Sequence, residues 1–174
     1  DGTVILADTK NIDSSVTTAT NNTGTLSLEG SSTVIGQVGA SGASLKEINA
    51  GVSGTTSTFV NDVYASNLNI TGTGTVVLNS DLTGNVVTTG NQGILTTIGA
   101  TQTIAGNIGS STSLDLNTLN IGSDTVLGNY SKTTINGNVF ANSTVLNNNN
   151  NDNSDGTTNS SELILASGKN ITST

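Results

Sequence analysis

The stretch NDNSDGTTNSSE, Asn151 to Glu162, has residue types and spacing close to those of a calcium-binding loop. Against the pattern D-x-[DN]-x-[DN]-G-x5-E, the chain matches at Asn153, Asp155, Gly156 and Glu162. It fails at the first position, where Asn151 offers a neutral amide oxygen in place of a carboxylate, and a hard divalent cation is held less well by the weaker charge set. The flanking runs TVLNNNN and LILASG read as strand or loop, not as the paired helices that hold such a loop. Asn151, Asn153, Asp155 and Glu162 are therefore a weak calcium candidate within what reads as a solvated, asparagine-rich excursion over residues 147–161.

Carboxylate catalysis is the other chemistry to weigh, because it needs two acids, or an acid and a base, converging on one groove. The chain has 12 acidic residues, four lysines and no His, Arg or Cys, so general bases, oxyanion donors and nucleophiles are few. Asp62 and Asp81 fall in neighbouring repeats but at different repeat positions, and four residues of strand span roughly 13 Å, which keeps them apart unless a corner folds them together. Asp8, Asp13, Asp115, Asp124 and the lysines Lys10, Lys46, Lys132 and Lys169 read as ordinary exposed charges. The sequence is read as that of a non-enzyme with no cofactor, the alternative being a fragment of a polysaccharide-processing β-helix enzyme. A net charge of −8 lacks the basic footprint that nucleic acid requires, and aromatic residues for stacking on bases are scarce. No run of 18 apolar residues is present, so membrane contact by this segment is not expected.

The elements that would position any of these groups follow from a repeat. STVIGQV (32–38), STFVNDV (57–63), SDLTGNV (80–86), QTIAGNI (102–108) and TTINGNV (133–139) align without gaps. Their fifth residues are Gly36, Asn61, Gly84, Gly106 and Gly137, spaced 25, 23, 22 and 31 residues apart. Two places earlier stand Val34, Phe59, Leu82, Ile104 and Ile135; two places later stand Val38, Val63, Val86, Ile108 and Val139. Apolar columns with Gly, Thr, Ser and Asn between them disfavour helix and suit strands. The fold class expected is all-β, a right-handed parallel β-helix of roughly seven coils of about 22–25 residues with variable loops. In such a solenoid equivalent positions of successive coils touch at the strand spacing of about 4.8 Å. The five β-branched residues would then form one core column. The glycines would mark corners with positive φ, where Asn61 is the best substitute. Gln37, Asp62, Asn85, Asn107 and Asn138 would form an amide ladder from coil to coil. Thr33, Thr58, Thr103 and Thr134 also share a repeat position, but a lattice-matching threonine face would need coils more uniform than these.

The phrase VILADTKNI, Val4 to Ile12, returns as LILASGKNI, Leu163 to Ile171, identical at six of nine positions, and reads as one coil type recurring in a longer array. The chain begins at Asp1 with neither a methionine nor a signal-peptide pattern, and is read as one β-helix segment, 1–174, cut from something longer.

The phrases TVILADTKNI, GTLSLEGSSTVIGQVGASGASLKEINAG, ASNLNITGTGTVVLNSDLTGNV and LILASGKNI resemble the passenger domains of bacterial autotransporters, most closely the rickettsial outer-membrane surface antigens of the surface cell antigen family. That resemblance implies display on the extracellular face of the bacterial outer membrane and adhesion to a host-cell surface protein or glycan. The expected recognition elements are the insertions that lengthen coils, 39–44, 109–113 and 147–161, because loops on a rigid scaffold carry binding. Self-association through open solenoid ends is a further expectation, since an uncovered end presents unpaired strand edges.

Overall fold

A computed structural model describes residues 1–111, 113–123, 130–147 and 160–173. The strands in chain order are β1 (Thr3–Leu6), β2 (Asn11–Ile12), β3 (Thr23–Leu28), β4 (Ser32–Val34), β5 (Leu45–Ala50), β6 (Thr56–Phe59), β7 (Val63–Ile70) and β8 (Thr75–Leu78). They continue with β9 (Leu82–Thr88), β10 (Gln92–Thr97), β11 (Thr101–Ile104), β12 (Leu116–Ile121), β13 (Lys132–Ile135), β14 (Val139–Leu146), β15 (Glu162–Leu165) and β16 (Ile171–Thr172). Every interstrand ladder between them is parallel, and odd and even strands form two eight-stranded sheets in chain order. The protein is a parallel β-solenoid. Along each strand buried and outward residues alternate, as in β10, where Gly93, Leu95 and Thr97 point inward.

Three stacked columns run through the core, beside further stacked residues such as Val76, Leu95 and Leu119. The first is Val4, Leu26, Ile48, Leu68, Val86, Ile108, Val139 and Ile171. The second is Val16, Val38, Val63, Leu82, Ile104, Ile135 and Leu165. The third is Ile12, Val34, Phe59, Leu78, Thr97, Ile121 and Leu146. Most members in the middle of the stack have a relative exposure of 1% or less. Like residues pile up because each strand can hydrogen-bond only to the strand one turn away, which fixes the side chain above and below.

These columns correct the repeat alignment. Val38 and Val63 lie in the second column, whereas Val86, Ile108 and Val139 lie in the first. Val34 and Phe59 lie in the third, whereas Leu82, Ile104 and Ile135 lie in the second. The sequence motif advances by one column between its second and third copies. The cause is the short coil after Phe59: the chain completes its turn at Leu78, which lands over Phe59, so the motif at Leu82 begins over Val63. Strand β7 absorbs the change with a register irregularity between Tyr64 and Asn67. The motif encodes a corner with a strand on either side, and any corner of the solenoid accepts it.

The glycines owe their place to crowding more than to φ. Of the five aligned positions, only Gly84 has positive φ, at 150°, and Asn61 is not left-handed. A Cβ on Gly106 would overlap the carbonyl oxygen of Gly84, and one on Gly137 would overlap that of Gly106. Three backbones thus stack where a side chain has no room. Asn61 instead uses its amide, donating from Nδ2 to Ile35 O at 2.7 Å.

The two end phrases fold alike. Each is a strand, a turn and a second strand: Lys10 N–H donates to Ala7 O at 3.3 Å, and Lys169 N–H donates to Ala166 O at 3.1 Å. Thr9 (φ 61°) and Gly168 (φ 75°) occupy the same left-handed position of that turn. The units sit on different columns, however, because Ile12 belongs to the third and Ile171 to the first.

Candidate functional surface

The corners are built by side-chain oxygens that accept a backbone N–H from the next coil. Asn107 N–H donates to Asn85 Oδ1 at 3.0 Å, Asn138 N–H to Asn107 Oδ1 at 2.8 Å, and Asn170 N–H to Asn138 Oδ1 at 3.2 Å. Of the expected column Gln37, Asp62, Asn85, Asn107 and Asn138, only the last three stack on one another, joined by Asn170, and their rungs run from side chain to backbone and not from amide to amide; Gln37 and Asp62 precede Val38 and Val63 at another corner. The reason lies in the backbone, whose N–H groups at a corner have no strand partner and must be satisfied. An amide-to-amide rung appears instead on an outer strand face, where Asn69 Nδ2 donates to Asn49 Oδ1 at 2.8 Å, and Asn49 Nδ2 in turn donates to the hydroxyl of Ser27 at 3.4 Å.

Asp62 and Asp81 meet at such a corner, against the expectation from their sequence positions. Asp81 N–H donates to Asp62 Oδ1 at 3.3 Å, Ser80 Oγ donates to the same oxygen, and Thr103 N–H donates to Asp81 Oδ1 at 2.7 Å. The short coil that moves the motif by one column also brings these acids, already in neighbouring coils, to the same position of the turn, each just before the paired Val63 and Leu82. Each has an oxygen committed to capping a backbone N–H. Among the described residues no group of three or more His, Cys, Asp or Glu side chains is placed to hold a metal ion.

Of the calcium candidates, Asn151, Asn153 and Asp155 lie outside the described residues. Glu162 opens β15 beside β13, where its carboxylate pairs with Lys132 Nζ at 3.1 Å and both side chains are about half exposed. Asp115 corrects the reading of it as an exposed charge: it is fully buried immediately before β12, with its carbonyl accepting from Thr88 Oγ1 at 3.1 Å. Asp124 lies outside the described residues.

Two of the three coil-lengthening loops are described wholly or nearly so. Residues 39–44 close through reciprocal bonds, Ala40 N–H to Ala43 O at 3.1 Å and Ala43 N–H to Ala40 O at 2.9 Å. In 109–113, with 112 outside the described residues, Leu114 N–H donates to Ser111 O at 3.1 Å. Each loop starts from a glycine against which the backbone of the next coil packs, the carbonyl oxygen of Tyr64 at Gly39 and that of Phe140 at Gly109 occupying the space a side chain would need. Sequence reasoning missed this pairing, although the repeat holds its trace: the motif ends VG and then VY in one pair of coils, IG and then VF in the other. The four aligned threonines do not share a column either. Thr33 stacks on Thr58 in one sheet, and Thr103 on Thr134 in the other.

A cleft of about 380 Å³ opens at the first coil, lined by Val4, Val16, Leu45 and a set of threonines that includes Thr3, Thr18 and Thr25. Its hydroxyls bond partly to one another, Thr18 Oγ1 lying 2.6 Å from Thr23 Oγ1. Comparison with protein-family models, curated proteins and solved structures finds no match to this chain.

Proposed function

We propose that the chain is a structural and adhesive module, a rigid solenoid stretch of an autotransporter passenger displayed on a bacterial surface that presents its coil-lengthening loops to a host-cell protein or glycan. One observation supports this reading above others: loops 39–44 and 109–113 leave the stack while the backbone ladder continues beneath them, Val38 on Val63 and Ile108 on Val139. Loop variation therefore costs the scaffold little, because closure entropy rises slowly with length. A ladder that carries loops without losing register is what a recognition stalk needs. Surface display and self-association through the solenoid ends belong to the same reading.

Beads coated with the chain are expected to bind cultured host cells. Replacing 39–44 or 109–113 with a minimal turn, or deleting 148–159, is expected to lower bead binding while the far-ultraviolet β signal is kept. Equal binding by coated and albumin-blocked beads would refute the adhesive role.

A further inference from the structure

Asn136 and Gly137 form the single Asn–Gly step in the sequence, and they lie at the corner between β13 and β14. Asparagine side chains are electrophilic at the amide carbon, and the backbone nitrogen of the following residue is the nucleophile within reach. Attack is hindered where the next residue is bulky, where its N–H is held in a hydrogen bond, or where the asparagine amide is itself engaged. Glycine removes the first obstacle.

The corner removes the other two. Asn136 is exposed, and among the described residues its side-chain amide has no hydrogen-bond partner, nor does the N–H of Gly137. The neighbouring asparagines differ on every count. Asn107 and Asn138 use Oδ1 to accept from the coil above, and the residues after them are β-branched with committed N–H groups: Ile108 N–H donates to Asn138 O and Val139 N–H to Asn170 O, both at 2.9 Å. One corner thus holds protected and unprotected asparagines two residues apart.

We propose that Asn136 is a site of spontaneous deamidation through the Gly137 nitrogen. Nitrogen 137 forms a bond to Cγ of Asn136, the Cγ–Nδ2 bond breaks, and ammonia leaves with the amide proton, giving a five-membered cyclic imide. Water then opens either carbonyl, yielding aspartate or isoaspartate and adding one negative charge. Isoaspartate inserts a methylene into the main chain beside Gly137, where the backbone already lies against Gly106 with no room for a side chain. The product therefore loosens the corner that joins Ile135 of the second column to Val139 of the first.

The test is prolonged incubation of the full folded chain at mildly alkaline pH, followed by digestion and fragmentation mass spectrometry that separates aspartate from isoaspartate. Conversion at Asn136 is expected to outpace that at Asn107 and Asn138 by on the order of tenfold or more. The thermal midpoint should fall in step with isoaspartate content, and N136Q should show no such fall. Conversion at Asn136 no faster than at Asn138, or an unconverted Asn136 in the folded chain when the chemically unfolded chain converts, would overturn the proposal.

Discussion

The first coils and the later coils are built on the same ladder but filled differently. Before Thr88 the buried polar side chains are two serines, Ser32 and Ser57, set among Leu26, Ile48, Phe59, Leu68 and Leu78. From Thr88 onward the interior also takes in Thr97, Gln102, Asp115, Ser131, Thr133 and Ser161. These are largely cross-linked to one another and to the backbone. Thr133 Oγ1 lies 2.8 Å from Thr97 Oγ1 and 2.9 Å from Ser131 Oγ, and Gly99 N–H donates to Gln102 Oε1 at 2.7 Å. The coils differ in length as well, from eighteen residues between Leu68 and Val86 to thirty-two between Val139 and Ile171. Where the chain departs on longer excursions, hydroxyls at the re-entry points satisfy the backbone, as Ser161 Oγ does for Ser131 N–H at 3.3 Å. The comparison teaches that an apolar column sets the register and that a hydrogen-bonded polar interior is tolerated once the register is set.

The largest effect is expected in the apolar coils. Leu68→Ala opens a cavity at a fully buried site and should cost about 2–5 kcal/mol, measured by urea unfolding of the whole chain. A loss below about 1 kcal/mol would mean that these coils are not close-packed.

In the polar coils the sign depends on how many partners are removed. Thr133→Val strands the hydroxyl of Ser131 and takes from Thr97 Oγ1 the donor it accepts from, leaving that hydroxyl only its bond to Asn120 O, and should cost about 1–3 kcal/mol, whereas Thr97→Val combined with Thr133→Val should recover part of that loss. A double variant worse than the sum of its singles would show that the hydroxyl chain is not an exchangeable filling.

This contrast marks the limit of what the residues reveal. The all-β solenoid was legible because Val, Ile and Leu return at near-constant intervals with Gly and Asn between them, and packing selects that pattern. The step by one column between Phe59 and Leu82 was not, because the motif's local chemistry is the same at every corner and only the coil length, known after folding, decides which corner it occupies. The adjacency of Asp62 and Asp81 stayed hidden for the same reason. Nor does a threonine announce its side by its own chemistry: Thr97 and Thr133 are buried while Thr83 and Thr101 are exposed. At the candidate calcium loop, Glu162 matches the motif by spacing, but its ion pair with Lys132 crosses a turn that no local pattern predicts.

Smaller effects sharpen the comparison at the corners and ends. Asn107→Ala leaves the N–H of Asn138 without its acceptor and should cost about 1 kcal/mol, with faster hydrogen exchange at Asn138 than at core positions of β12. Unchanged exchange there would remove the rung from the ladder. Thr9→Gly should stabilise the first coil by up to about 1 kcal/mol, because a β-branched residue occupies the left-handed position that Gly168 fills in the matching turn. A lower thermal midpoint for that variant would show that Thr9 is not strained.

Disulfide trapping in a chain with no native cysteine tests the stacked register most directly. Thr58 lies beside Val77 in the solenoid, whereas alignment by motif would set it beside Asp81. The account predicts that T58C combined with V77C cross-links readily on mild oxidation and that T58C combined with D81C does not; the reverse outcome would contradict it.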